Sequence, residues 1–182
     1  MKTTAAIATF TGLIAATQAQ YFGLTSARSA SPIHYQPINA AGLRLWIGAN
    51  SAHYCPSSVQ KQGGCPNTHF TNFAGGHGGL SMGAVVPGGQ QVYIDPVCGA
   101  VSYTQAHSAA MPEGAIVGGW SIEEEDGFGI LSWEKGLLAC NTTVGGPWGI
   151  YGVIDGVTPP GDCLGFNALT SNETKPAAWQ YE

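Results

Sequence analysis

The stretch Val86–Gly114, VPGGQQVYIDPVCGAVSYTQAHSAAMPEG, decides the fold class. Two runs of β-forming residues, Gln91–Ile94 and Ala100–Gln105, flank the turn Asp95-Pro96-Val97-Cys98-Gly99, and Pro87 and Pro112 bracket the whole. Short strand-type runs on either side of a Pro- and Gly-bearing turn predict a β-hairpin with a five-residue loop. No catalytic signature falls inside it.

The same pattern continues in both directions. The 27 glycines and 11 prolines interrupt every run, and no window keeps a 3.6-residue apolar period. Further strands are predicted at Tyr21–Ser26, Leu80–Val86, Ile116–Ile122, Gly129–Trp133, Leu137–Asn141, Gly149–Ile154 and Leu164–Leu169. Another, Leu43–Ile47, would put Leu43, Leu45 and Ile47 on one face and Trp46 on the other. Many short strands divided by turns predict an all-β, single-domain antiparallel β-sandwich with disulfide-clipped loops, a barrel being the alternative. Ser51–Gly79 lacks a strand signal. It reads as a surface excursion ending in the flexible run Ala74-Gly75-Gly76-His77-Gly78-Gly79, and is the first place to look for a binding surface.

Residues 1–19 read as a secretory signal peptide: Lys2, the apolar run Ala5–Ala16, then small residues Thr17 and Ala19 before the expected cut. The domain is then residues 20–182, beginning at Gln20. No later apolar run approaches 18 residues, and Ala177–Glu182 lacks the hydrophobic tail of a lipid-anchor signal, so no membrane segment is expected. Six basic against 11 acidic residues give a net charge of −5, and charged residues are only 9% of the chain. That balance carries no electrostatic footprint for nucleic acid or anionic lipid. Surface polarity must come from neutral side chains and glycans.

Five cysteines in a secreted chain imply disulfides, and the odd number leaves one thiol over. Several pairings can be drawn. The spacings favour Cys55–Cys65, clipping a loop rich in Pro, Gly and Ser, and Cys140–Cys163, tying two late strands. Cys98, at the hairpin turn, is then the free thiol, and pairing with a second chain would give a disulfide-linked dimer.

Catalytic and metal chemistries find little footing. His53, His69, His77 and His107 lack the close spacing of a zinc site, and the expected terminal residue is Gln20, not the histidine of a copper oxygenase. A glycosidase needs two facing carboxylates. Consecutive residues in Glu123-Glu124-Glu125-Asp126 point alternately and read with Gly127 as a solvated turn, while Glu134, Asp155 and Asp162 show no convergence. No GxSxG is present, and a Cys98–His107 dyad would rest on sequence proximity alone. No cofactor or metal is implied.

Aromatic residues carry the remaining chemistry. Flat rings stack on sugars, although tryptophan in a β domain usually belongs to the core. Trp46, on the face opposite Leu43, Leu45 and Ile47, and Trp179, near the end of the chain, are the candidate carbohydrate contacts. Asn141-Thr142-Thr143 and Asn172-Glu173-Thr174 are N-glycosylation acceptors, Asn172 in a polar terminal stretch.

The words VPGGQQVY (Val86–Tyr93), SYTQAHSA (Ser102–Ala109) and PEG (Pro112–Gly114) resemble the central block of the fungal phialide cell-wall proteins, the PhiA family, also described as IgE-binding proteins. Weaker matches extend over nearly all the rest: Phe22–His34, Leu43–Gly48, Tyr54–Val59, Phe73–Met82 and Asp162–Thr170. The resemblance implies a secreted, non-enzymatic protein of the extracellular space and cell wall, with a role in phialide and conidium development during asexual sporulation. Expected partners are a fungal cell-wall polysaccharide or wall proteins. The alternative function is a carbohydrate-binding module for a wall polysaccharide, and a more distant one a wall glycan hydrolase.

Overall fold

The computed structural model describes residues 21–182. The expected signal segment and Gln20 lie outside the described residues. In chain order the elements are β1 (Tyr21–Ala27), β2 (Ile38–Ala41), β3 (Arg44–Ile47), β4 (His53–Tyr54), α1 (Ser57–Lys61), β5 (Asn72–His77), β6 (Gly79–Met82) and β7 (Val92–Ile94). There follow β8 (Val101–Tyr103), β9 (Trp120–Glu125), β10 (Phe128–Trp133), β11 (Leu137–Asn141), β12 (Trp148–Gly152), β13 (Asp162–Gly165), β14 (Asn167–Glu173) and β15 (Gln180–Tyr181).

Two antiparallel sheets face each other. One has the order β6-β5-β1-β14-β10-β9; the other runs β13-β11-β12-β3-β8-β7, with β2 also paired to β3. Phe22, Leu24, Phe73, Leu80, Leu131 and Ala168 from the first meet Ile38, Leu45, Ile47, Val101, Leu137 and Ile150 from the second in one continuous core. Fully burying a large apolar side chain contributes roughly 1.5–3 kcal/mol, so this layer is what holds the sheets together. The architecture is the predicted sandwich, with barrel character at its corners. Bridges at Ser81↔Gln91 and Thr25↔Pro37 join one sheet to the other.

The first sheet also coils far enough to meet itself. Gly78 and Trp120 exchange backbone hydrogen bonds at 2.8 and 3.2 Å, closing the end of β5 onto β9 as a half-barrel. Gly76 permits this: its φ is +90°, and a Cβ there would overlap the Ile122 side chain. The expected flexible run from Ala74 to Gly79 is therefore mostly strand, with a bulge between Gly75 and His77. Ser51–Gly79 as a whole is not an unstructured excursion, since β4, α1 and β5 lie within it.

The quoted hairpin forms as β7 and β8, with Val92↔Tyr103 and Ile94↔Val101 in register and all four side chains fully buried. Other boundaries moved. Glu123–Glu125 belong to β9, and the turn is the two-residue Asp126-Gly127, because carboxylates are tolerated on an edge strand that faces solvent. Leu164–Leu169 is split at Phe166, where the chain leaves β13 in one sheet for β14 in the other. Leu43 is not on the strand face: with Gly42 it forms the β2–β3 turn, both residues near φ +60° as a primed turn requires.

Candidate functional site

The VPGGQQVY block folds around the last residues of the chain. Gln90 is almost fully buried; its Nε2 donates to the carbonyls of Thr104 (3.0 Å) and Tyr181 (2.9 Å), and its Oε1 accepts from Tyr181 N–H (2.8 Å). Val85 and Val86 N–H donate to Ala178 and Trp179 carbonyls, and Asn72 holds Lys175 and Ala177 through its side-chain amide. Tyr103 Oη donates to the Glu182 carbonyl at 2.9 Å and meets the Tyr181 ring edge-on. Burial pushes both phenols well above their ordinary range, so both stay protonated hydrogen-bond donors. Nothing in the one-dimensional pattern announced this, because each bond spans a long sequence separation.

Among the described residues, several clefts open on the surface. The first, about 400 Å³, lies over this network between Leu43, Gln105, His107, Gln180 and Glu182. His107 sits at φ +59°, a conformation that non-glycine residues rarely adopt. The second, about 280 Å³, is the mouth of the half-barrel, between Phe22, His77, Ile122, Glu124 and Asn172. The third, about 320 Å³, runs between the 32–36 loop and Gly145–Trp148. The fourth, about 390 Å³, borders the Cys55–Cys65 clip beside His53 and Gln60.

The five cysteines are placed as follows. Cys140 and Cys163 face one another in register on β11 and β13 and are bridged, their Cα atoms 4.1 Å apart. Cys55 and Cys65 are bridged across 6.0 Å at the base of the α1 loop. Cys98 is a free, exposed thiol on the hairpin turn, where the Asp95 carboxylate accepts from Val97 and Cys98 N–H. Among the described residues no three His, Cys, Asp or Glu side chains gather as metal ligands; His53 and His69 lie with ring centroids 6.5 Å apart.

Trp46 points to the outer face as its strand position requires, but it is half-buried. Its Nε1 donates to the Ala41 carbonyl (2.9 Å), and the Arg44 guanidinium lies 5.1 Å over its ring and 5.1 Å over that of Tyr151. Trp179 is half-buried, with its ring nitrogen enclosed. Trp120 and Trp133 belong to the core. Trp148, which the sequence did not set apart from them, lines the third cleft. Asn141 ends β11, its Oδ1 accepting from Thr143 N–H (3.0 Å). Asn172 lies not in a terminal coil but in β14, opposite Phe22, on the rim of the half-barrel.

Fold and clefts together define an all-β, disulfide-clipped domain of the extracellular kind. The chain belongs to the PhiA-like secreted proteins, whose family model matches residues 22–182. It is similar to an uncharacterized secreted protein of Arthroderma benhamiae, 36% identical over 80% of this chain and 77% of the relative. It is also similar to cell wall protein phiA of Aspergillus fumigatus (29% identity; 97% of this chain, 95% of the relative) and of Aspergillus niger (30%; 88% and 84%). No solved structure matches the chain. It is a secreted protein of the extracellular space or cell wall.

Proposed function

We propose that this chain is a non-enzymatic component of the fungal cell wall that acts in forming phialides and conidia. The observation that carries this reading is the end-to-end similarity to relatives named cell wall protein phiA, over 97% of this chain. The clefts bear on one enzymatic alternative, glycan hydrolysis. The first is lined by one acidic residue, Glu182, the second by one, Glu124, and the third and fourth by none. A glycosidase would need a pair about 5–5.5 Å or about 6.5–9.5 Å apart. The partners this role requires are a wall polysaccharide or other wall proteins, with Cys98 as a crosslinking thiol.

The test is deletion of the gene in the producing fungus, followed by complementation and wall fractionation. Conidium yield should fall on deletion and return with the wild-type copy, and the protein should fractionate with the wall. Normal sporulation in the deletion strain would overturn the developmental role. Release of reducing sugars from purified wall glycans by the pure protein would overturn the non-enzymatic one.

A further inference from the structure

We propose that the third cleft is a binding site for a neutral pyranose chain. The inference rests on the proposed wall association and gives it a location. The cleft is built by two loops brought together across β3 and β12, where Trp148 pairs with Ile47. Trp148 is half-buried and packs against the core, so the part of the indole that faces the cleft is fixed in place before any ligand arrives. A rigid aromatic wall loses little conformational freedom on binding.

The lining is chemically selective. Not one of its residues is charged, whereas the first cleft carries His107 and Glu182 and the second His77 and Glu124. Gly48 and Gly145 have nothing within 4 Å of where a Cβ would stand, so the cleft beside Trp148 stays open. Gln36 supplies an exposed amide with both donor and acceptor capacity. An apolar ring face beside a neutral amide matches a pyranose, which presents C–H groups on its faces and hydroxyls around its rim. At about 320 Å³ the cleft is at the lower end of the roughly 300–1,000 Å³ of ligand sites, so it grips part of a chain rather than enclosing a whole molecule.

The loop opposite Trp148 is held in an unusual shape. Tyr35 sits at φ +55°, is 66% exposed, and stacks on His34 with ring centroids 4.0 Å apart. The fully buried Ser26 fixes it: its hydroxyl is shared between the carbonyls of Ile33 and Gln36, and its own carbonyl accepts from Tyr35 N–H at 2.8 Å. A large aromatic ring is thus displayed in solvent, on the same loop as Gln36, by a backbone conformation that the core enforces. Tyr35 thus offers a second aromatic surface on the loop that supplies Pro32, Ile33 and Gln36 to the cleft.

The secreted full-length protein should be retained by insoluble chitin or β-1,3-glucan, and titration with chitohexaose or laminarihexaose should change its tryptophan fluorescence. The two arms identify the glycan. Tyr35→Ala combined with Gln36→Ala should weaken binding at least ten-fold without moving the melting temperature, because both side chains are exposed. Trp46→Phe and Trp179→Phe should bind as wild type. If the double variant binds like wild type, or only the Trp46 or Trp179 variant loses binding, the cleft is not the site, although glycan attachment itself would stand. If wild type binds neither glycan yet fractionates with the wall, the inference falls and wall association survives through a protein partner.

Discussion

The side-chain amide of Gln90 satisfies both polar groups of the Tyr181 backbone, accepting its N–H at 2.8 Å and donating to its carbonyl at 2.9 Å. One side chain thereby takes the place of a second neighbouring strand for β15, which pairs with β4. Gln90→Leu keeps the volume but strands the Thr104 carbonyl and both Tyr181 groups. A loss of about 2–4 kcal/mol is expected from the unpaired buried groups. Urea denaturation measures it, and hydrogen exchange should show residues 175–182 opening first. Wild-type stability would mean that the network is not held by Gln90.

Tyr103 and Tyr181 set an alkaline limit. Their phenols are raised above the ordinary value of 10.0, so the folded state keeps protons that the unfolded state releases near that pH. The stabilisation is complete below about pH 10 and is lost as pH rises through the folded values, at up to roughly 1.4 kcal/mol per pH unit for each phenol. Urea midpoints should hold steady to about pH 9 and fall beyond about pH 10. Tyr181→Phe should be less stable at neutral pH but show a shallower alkaline decline.

Gly76 allows the half-barrel to close. Gly76→Ala introduces a side chain at φ +90° into the space of Ile122 and should lower stability by about 2 kcal/mol or more. In an Ile122→Ala background the same substitution should cost less, because the overlap is removed while the backbone strain remains. Equal losses in both backgrounds, read by thermal denaturation, would show that only the backbone matters.

The cysteines should separate by chemistry. Without reduction, a maleimide should label Cys98 alone, and Cys98→Ser should abolish any disulfide-linked dimer while changing stability by no more than about 0.5 kcal/mol. Replacing Cys140 and Cys163 together by alanine should cost about 3 kcal/mol. Removing the Cys55–Cys65 clip should cost less, because no residue of α1 is buried. A labelled Cys140 or Cys163 in the untreated protein would contradict the pairing.

Both acceptor asparagines should carry glycan in the secreted protein. Peptide N-glycosidase F should lower its mass, and Asn141→Gln and Asn172→Gln should each remove one step of that shift. A mass equal to that of the bare chain would exclude both sites.

The hairpin was legible because Val92, Ile94, Val101 and Tyr103 are β-formers flanking an unmistakable turn. The segment around Gly76 was not, since glycine reads as a breaker unless the side chain packed over it is known. The same limit applied to the tryptophans. Strand alternation put Trp46 on the outer face correctly, but the Arg44 guanidinium over its ring and the place of Trp148 in a cleft depend on which loops meet. Asn172 was read only as part of a polar terminal stretch, because its strand is set by the long-range register with β1, Phe22↔Asn172, and not by local apolar alternation. The grip of Gln90 on Tyr181 left no local trace at all.

The pairing of β1 with β14, in register from Tyr21↔Glu173 to Ala27↔Asn167, also fixes when the molecule can finish folding. The first strand has to wait for almost the last segment to be synthesised, and Gln90 has to wait for Tyr181. Long-range pairing of this kind is slow, because the intervening chain must be ordered before the contact forms. During export the chain therefore passes through a period in which its cysteines and acceptor asparagines are still open to oxidising and glycosylating enzymes. Any disulfide or glycan added in that period would precede closure of the sandwich.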